Sequence, residues 1–393
     1  MWCRWGILSW PVRGSLAVSN PLSRCLTAFD SPLPGPVGRG MRHLPRCLRL
    51  LLLPIILVGC QGRRPPPVPG PATEVLFPVD SLQLPPELWL GFAADIVLWP
   101  SHGALFAADG VGSRIIRIDL ARRSSQVICS TGSGPNEVRN PTALEVLGDR
   151  LWIVDSGNGR ILLVSSNCSD GRSFPLGARA YATNTALGPT GVVLNPTGGF
   201  DGHLLTLHDS AGRLGSLVSV PSLPLPLSPT AVKREVARHE LPQLFANNVL
   251  VAQDASEDVY VASLGAGWLR KYSRDSTLVW QTTLDDPLFT KLLEAYRAQN
   301  LNEPNPRRIH PYRLFADLEL AEKDEEVWLL SSPDADSAIV WQFASGTGHL
   351  DRRLSLHGVS SPGALTVDDH GGRFFVMADD GERVFVFSTD SSQ

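Results

Sequence analysis

Ser361-Pro-Gly-Ala-Leu-Thr-Val-Asp368, Asp-His-Gly-Gly, Arg373-Phe-Phe-Val-Met-Ala-Asp379, Asp-Gly-Glu, Arg383-Val-Phe-Val-Phe387 is the stretch that decides the fold. Short runs rich in Val, Phe and Leu are separated by Gly- and Asp-containing turns, so it reads as strand, tight turn, strand, polar loop, strand. The same unit stands upstream as Pro141-Thr-Ala-Leu-Glu-Val-Leu147, Gly-Asp, Arg150-Leu-Trp-Ile-Val-Asp155, Ser-Gly-Asn-Gly, Arg160-Ile-Leu-Leu-Val164. It stands again as Asp95-Ile-Val-Leu98, Ala104-Leu-Phe-Ala-Ala-Asp109 and Arg114-Ile-Ile-Arg-Ile118. Three looser copies cover Gly191 to Val220, Asn247 to Tyr272 and Phe315 to Phe343.

Corresponding second strands recur about every 45 to 70 residues, the period of a four-stranded propeller blade with its loops. The period predicts an all-β, six-bladed β-propeller over residues 73–393. One blade alone cannot bury both faces of its sheet, whereas blades packed in a closed ring can. Runs such as Leu151-Trp-Ile-Val154 and Phe374-Phe-Val-Met377 are apolar on both faces, as buried strands are. The last blade reaches its third strand at Phe387, close to Gln393. Glu74-Val-Leu-Phe-Pro-Val79 is therefore expected to close the ring beside Val384 to Phe387.

The unit resembles the NHL repeat, and the whole resembles the bacterial six-bladed β-propeller lipoproteins. Thr131-Gly-Ser-Gly-Pro-Asn-Glu-Val138 is similar to a Gly-x-Gly-Pro-Gly-Glu-Phe turn found between early blades of that group, with Asn136 in place of Gly and Val138 in place of Phe. The resemblance implies the fold and carries little about activity.

The N-terminal part reads differently. Residues 1–59 hold seven Arg and one acid, Asp30, a net of +6 that leaves −10 for the rest of a chain whose total is −4. Arg42, His43, Arg46 and Arg49 precede the apolar run from Leu50 to Gly59, which has the order of a secretory signal and is too short to span a bilayer. Leu57-Val58-Gly59-Cys60 resembles the lipobox of bacterial lipoproteins, which implies a 41–59 signal peptide and acylation of Cys60. Gln61 at the next position, rather than Asp, points to outer-membrane sorting. Residues 1–40 show neither strand nor helix periodicity, so translation is expected to start at Met41. Residues 60–72 are Pro-rich, a tether between membrane and body.

Aligning the repeats places two rows along the channel-lining strands. The upper row is Asp95, Ala143, Gly191, Asn248, Asp317 and Ala364; the deeper row is Val97, Glu145, Val193, Leu250, Glu319 and Thr366. Asp95, Glu145, Asn248, Asp317 and Glu319 thus form a candidate channel-mouth ligand or metal site, suited to Ca²⁺ or another divalent cation. This is similar in kind to the regucalcin and gluconolactonase propellers; carboxylates lining a wet pore are the plainer reading. Between blades 4 and 5, Asp286 and Pro287 read as an N-cap and first helical residue, with Leu288, Leu292 and Tyr296 at helical spacing. This one short helical insertion lies by connectivity on the same mouth. Tyr296, Arg307, Arg308, His310 and Arg313 are candidate partner-docking residues there. Cys129 falls near the top of an outer strand and Cys168 in a bottom turn, which argues against pairing them.

The acidic body argues against nucleic acid as a partner. No phosphate-binding Gly loop, zinc spacing or flavin motif is present. The sequence therefore reads as a monomeric binding or scaffolding module of the cell envelope, lipid-anchored and facing outer membrane or periplasm, for a protein or glycan partner. The alternatives are a metal-dependent hydrolase or lactonase using the channel acids, and a structural envelope lipoprotein.

Overall fold

The computed structural model describes residues 71–389, apart from 92, 177–183, 210–211, 224–227, 322, 324, 335–336, 369–371 and 379–380. The expectations for residues 1–40, the 41–59 leader, Cys60 and most of the 60–72 tether lie outside the described residues.

The described strands form six sheets, one for each blade. The inner strands are Ala93–Trp99, Pro141–Leu147, Ala186–Leu187, Val249–Gln253, Asp317–Ala321 and Ala364–Val367. Each touches the next in that order and the last touches the first, so the ring is complete. Second strands are the most deeply buried, and every residue of Ala104–Asp109 and of Val259–Ser263 is shielded from solvent. The chain is a six-bladed β-propeller.

Its core is divided among the seams between blades. Phe106 and Ala108 of blade 1 pack with Leu151 and Ile153 of blade 2. Trp328 and Val340 of blade 5 pack with Phe374 and Phe387 of blade 6. Each of the other four seams has a similar apolar cluster. Burial between blades, rather than within one, is what makes a single repeat unstable and the ring stable.

Two polar latches reinforce the early seams. At the top of blade 1, Asp109 holds Arg114 at 2.9 Å, and the Arg114 guanidinium donates onward to the Glu87 and Trp89 carbonyls. In blade 2, Asp155 holds Arg160 at 2.7 Å, and Arg160 donates to the carbonyls of Gly134 and Glu137. Each latch ties a turn within one blade to the connection that enters it. A Cβ on Gly112 would lie 2.1 Å from the Asp109 carboxylate, so the first latch requires glycine there.

The structure corrects five expectations. Ring closure by an N-terminal strand occurs, but through Asp80–Gln83, which pairs antiparallel with Arg383–Val386. The Glu74 to Val79 segment lies earlier, and Thr73–Leu76 runs parallel to Arg353–Leu356 as a fifth strand of blade 5. Leu82, buried at the seam of blades 6 and 1, fixes this register.

The inner strand of blade 3 is Ala186–Leu187. Gly191 lies in the turn after it, with positive φ, and Val193 is buried in the second strand.

Among the described residues there are three α-helices, the expected one between blades 4 and 5 and two more. Between blades 3 and 4, α1 spans Pro229–Ala237 and α2 spans Gln243–Ala246. The insertion before blade 5 is α3, Pro287–Asn302, and the Asp286 carboxylate accepts from Leu288 N–H at 2.8 Å as its N-cap. The Ser228-Pro229 pair starts α1 by the same capping chemistry.

Fourth, Cys129 and Cys168 are disulfide-bonded, with Cα atoms 5.5 Å apart. Successive strands rotate by about 20 to 25°, so over a whole blade the rim strands swing towards the neighbouring blade and top and bottom lose their meaning there.

Fifth, the docking set is mostly woven into the fold. Tyr296 donates to the Arg313 carbonyl at 2.7 Å and stacks on Tyr312. His310 lies 2.6 Å from Glu303, and Arg308 3.6 Å from the same carboxylate. Only Arg307 of the five is exposed. Arg313 belongs to the channel wall.

Candidate functional site: the channel mouth

The inner strands enclose a cavity of about 330 Å³. An inner strand has no sheet partner on its channel side, so its outward N–H groups need acceptors. Asp95 supplies one across the seam from blade 1 to blade 2, accepting from Leu144 N–H at 2.6 Å. Asp317 repeats the arrangement from blade 5 to blade 6, accepting from Leu365 N–H at 2.7 Å. The two aspartates occupy the same register position, and so do the two leucines. At the seam of blades 3 and 4, Asn184 does the complementary thing, donating to the Val249 carbonyl at 3.1 Å.

The carboxyls of blades 1 and 5 also come close to each other across the channel mouth. Carboxylate oxygens of Asp95, Asp317 and Glu319 all lie within 4.8 Å of one another. Glu145 lines the same cavity and is close enough to act on Asp95 and Glu319 electrostatically. Asn248 lies outside the cavity lining, with its side-chain oxygen 3.3 Å from Asn184. Of the five candidate mouth residues, the structure brings three into a cluster, sets Glu145 beside it and leaves Asn248 out. Arg313, Lys323, Asn184 and Gln253 line the cavity without having been expected there.

Crowding acids in a confined channel raises their proton affinity. Burial, reinforced by the negative charges of Asp317 and Glu145, pushes Asp95 well above the usual carboxylate range. Glu319 is pushed well above it by burial and then by Asp317, Asp95 and Glu145. Burial takes Asp317 up to about 6, against the N–H groups of Leu365 and Leu318 and the Arg313 guanidinium, which favour its anion. Burial in turn lowers Arg313, partly offset by Asp317. The three acids titrate as a unit. A cation binding among them would compete with protons for the same oxygens.

The donor set is hard oxygen and open to the channel, which fits Ca²⁺ better than a metal that favours nitrogen or sulfur. Both helical insertions enter inner strands and so stand on the top face by connectivity. They are tied together by Lys233, which donates to the Asn305 carbonyl at 3.1 Å, and by Arg297, which donates to the Val236 carbonyl at 3.1 Å.

The chain matches no protein-family model and no curated protein. Among solved structures it is similar to U3-55K, with 11% identity over 80% of this chain and 99% of that one, and a TM-score of 0.49. It is also similar to the RRP9 WD40 repeats, with 11% identity over 81% and 99% and a TM-score of 0.49. Virginiamycin B lyase from Staphylococcus aureus aligns with 9% identity over 74% and 78%, at a TM-score of 0.40. These likenesses reach no further than the propeller architecture that the six sheets already establish.

Proposed function

We propose that this chain is a lipid-anchored, extracytoplasmic binding propeller that seats its ligand at the top mouth of its channel. The observation that carries the reading is the convergence of Asp95, Asp317 and Glu319 within 4.8 Å, in a cavity whose lining also holds Arg313 and Lys323. Such a seat is complementary to a hard cation, or to a ligand that presents a cationic group. The Cys129–Cys168 disulfide supports an oxidising compartment, and Cys60 after its apolar run supports the anchor.

Calorimetric titration with calcium tests the seat. The expected result is one site, weakened at least about tenfold by Glu319→Gln, the scale on which even an outer-shell change acts. No heat with the unaltered protein at millimolar calcium would remove the reading. The anchor is tested separately by intact mass, which is expected to show acyl chains on Cys60 and none in Cys60→Ala.

A second reading is a metal-dependent hydrolase. Asp317, pushed up to about 6, is poised for proton transfer near neutral pH. Turnover in a lactone and ester screen that disappears in Asp317→Asn and in chelator would favour it over binding alone.

A further inference from the structure

The segment that enters the ring carries an apolar row on its outer side. From Thr73 to Val79 burial alternates with a period of two, and the outward residues are Val75, Phe77 and Val79, exposed to 55%, 63% and 52%. The inward side is occupied in the ordinary way, with Leu76 packed against the seam of blades 5 and 6. Val75 lies in the strand Thr73–Leu76, and Phe77 and Val79 lie in the link to Asp80–Gln83; apolar side chains presented to solvent in such a row mark contact surfaces.

The row is held rigidly. His357 N–H donates to the Leu76 carbonyl at 2.8 Å, and Val79 N–H donates to the Val386 carbonyl at 2.8 Å. The Phe77 ring rests against His357, with centroids 4.7 Å apart. Its flanking charges are neutralised: Glu74 meets Arg352 at 2.7 Å and Asp80 meets Arg123 at 2.6 Å. On a body of net charge −10, this edge is one where acids are matched by arginines beside an apolar ridge.

We infer that Val75, Phe77 and Val79 form the edge of the propeller that rests on the lipid surface. The inference depends on the proposed anchor at Cys60. Twelve residues separate Cys60 from Thr73, thirteen steps that span at most about 45 Å even when fully extended. The chain enters the ring at this same edge, so the anchor keeps the row near the bilayer. Arg63 and Arg64, within the tether, add attraction to anionic headgroups. Acyl chains hold the protein to the membrane, and the apolar row then sets which side faces it, with the three side chains entering the interfacial layer.

The test uses the full, acylated protein in vesicles of phosphatidylcholine and phosphatidylglycerol that contain a nitroxide-labelled lipid. A fluorescent label is placed at Val79→Cys or, on the outer strand of blade 4, at Val279→Cys, which is exposed to a similar degree. Quenching at 79 about threefold or more above that at 279 is expected for a residue at the headgroup boundary. Phe77→Asp in the Val79→Cys protein should then abolish the excess. Equal quenching at both sites overturns the inference while leaving the anchor intact. A blue-shifted label at 79 without lipid quenching also overturns it, because a protein surface, such as a second copy, then covers the row. Intact mass on the same samples reports acylation; its absence defeats the anchor reading, and this inference with it.

Discussion

The propeller buries its acids in two ways, and the contrast separates scaffold from site. At the blade tops, the Asp109 and Asp155 side chains are 1% and 0% exposed, and each grips an arginine at 2.9 and 2.7 Å. At the channel mouth, Asp95, Asp317 and Glu319 keep access to the cavity and crowd within 4.8 Å of one another, with Arg313 the cation that acts on Asp317. The first set is matched charge for charge and satisfied by hydrogen bonds. The second spends part of its acceptor capacity on the N–H groups of Leu144 and Leu365 and crowds like groups together at the channel. A matched buried acid holds a fold together; an unmatched one stores repulsion that a ligand can relieve.

The largest effect should come from breaking a latch. Arg160→Ala leaves the Asp155 carboxylate buried without its partner and should cost about 3 to 5 kcal/mol, read as a lower urea midpoint at unchanged slope. A loss below about 1 kcal/mol, the scale of an exposed pair, would erase the distinction between the two sets.

Opening the disulfide, which closes a 39-residue interval across the same rim, should cost about 2 to 4 kcal/mol. Thermal unfolding with and without reductant measures it.

The channel set should respond with the opposite sign. Its acids have raised pKa values in the folded state, so below about pH 4 they are protonated whether folded or not. As pH rises from there towards 6, the unfolded chain gives up protons that the folded Asp317 retains, and stability is lost. Asp317→Asn should therefore stabilise the protein at pH 7.5, by about 2 kcal/mol once solvent access to the channel is allowed for, and should change little at pH 4. Destabilisation at pH 7.5 would mean that its bond to Leu365 outweighs the repulsion. Calcium at millimolar concentration should raise the melting temperature of the unaltered protein more at pH 7.5 than at pH 5, and should not raise that of Asp317→Asn.

The smallest effect is expected at Arg307, exposed on the top face. Arg307→Ala should alter stability by no more than about 0.5 kcal/mol, and any loss of partner binding there would restore a role for that loop.

Much of this was legible in the sequence, for reasons that are physical. Blades 1, 2 and 6 are read correctly because their second strands are apolar on both faces and their turns carry Gly and Asp at regular places. Blade 3 is misread because its inner strand has only two residues, Ala186–Leu187, too few for a pattern. Gly191 then mimics the start of a repeat, although it serves a turn at φ 79° against Trp152. The latches were in plain view as Asp and Arg five residues apart in two copies, 109 and 114, then 155 and 160. At the mouth, the repeat register gives the height of Asp95, Asp317 and Glu319 along the channel. It does not give the direction in which they lean. In the structure the acids of blades 1 and 5 meet, and the Asp95 and Asp317 carboxylates also accept from the N–H groups of the next blade. Arg313 was assigned to a loop surface because nothing in its neighbourhood shows that the chain turns inward at Leu314 and Phe315, both buried.

The most direct test is the proton count on cation binding. Calcium titrations at pH 6 in two buffers of different ionisation enthalpy give the protons released for each ion bound. Because burial and neighbouring acids raise the proton affinity of Asp95 and Glu319, the account predicts that calcium binding releases protons, and fewer of them in Glu319→Gln. Calcium binding with no proton release, or release unaffected by Glu319→Gln, would contradict the claim that these crowded acids are the seat.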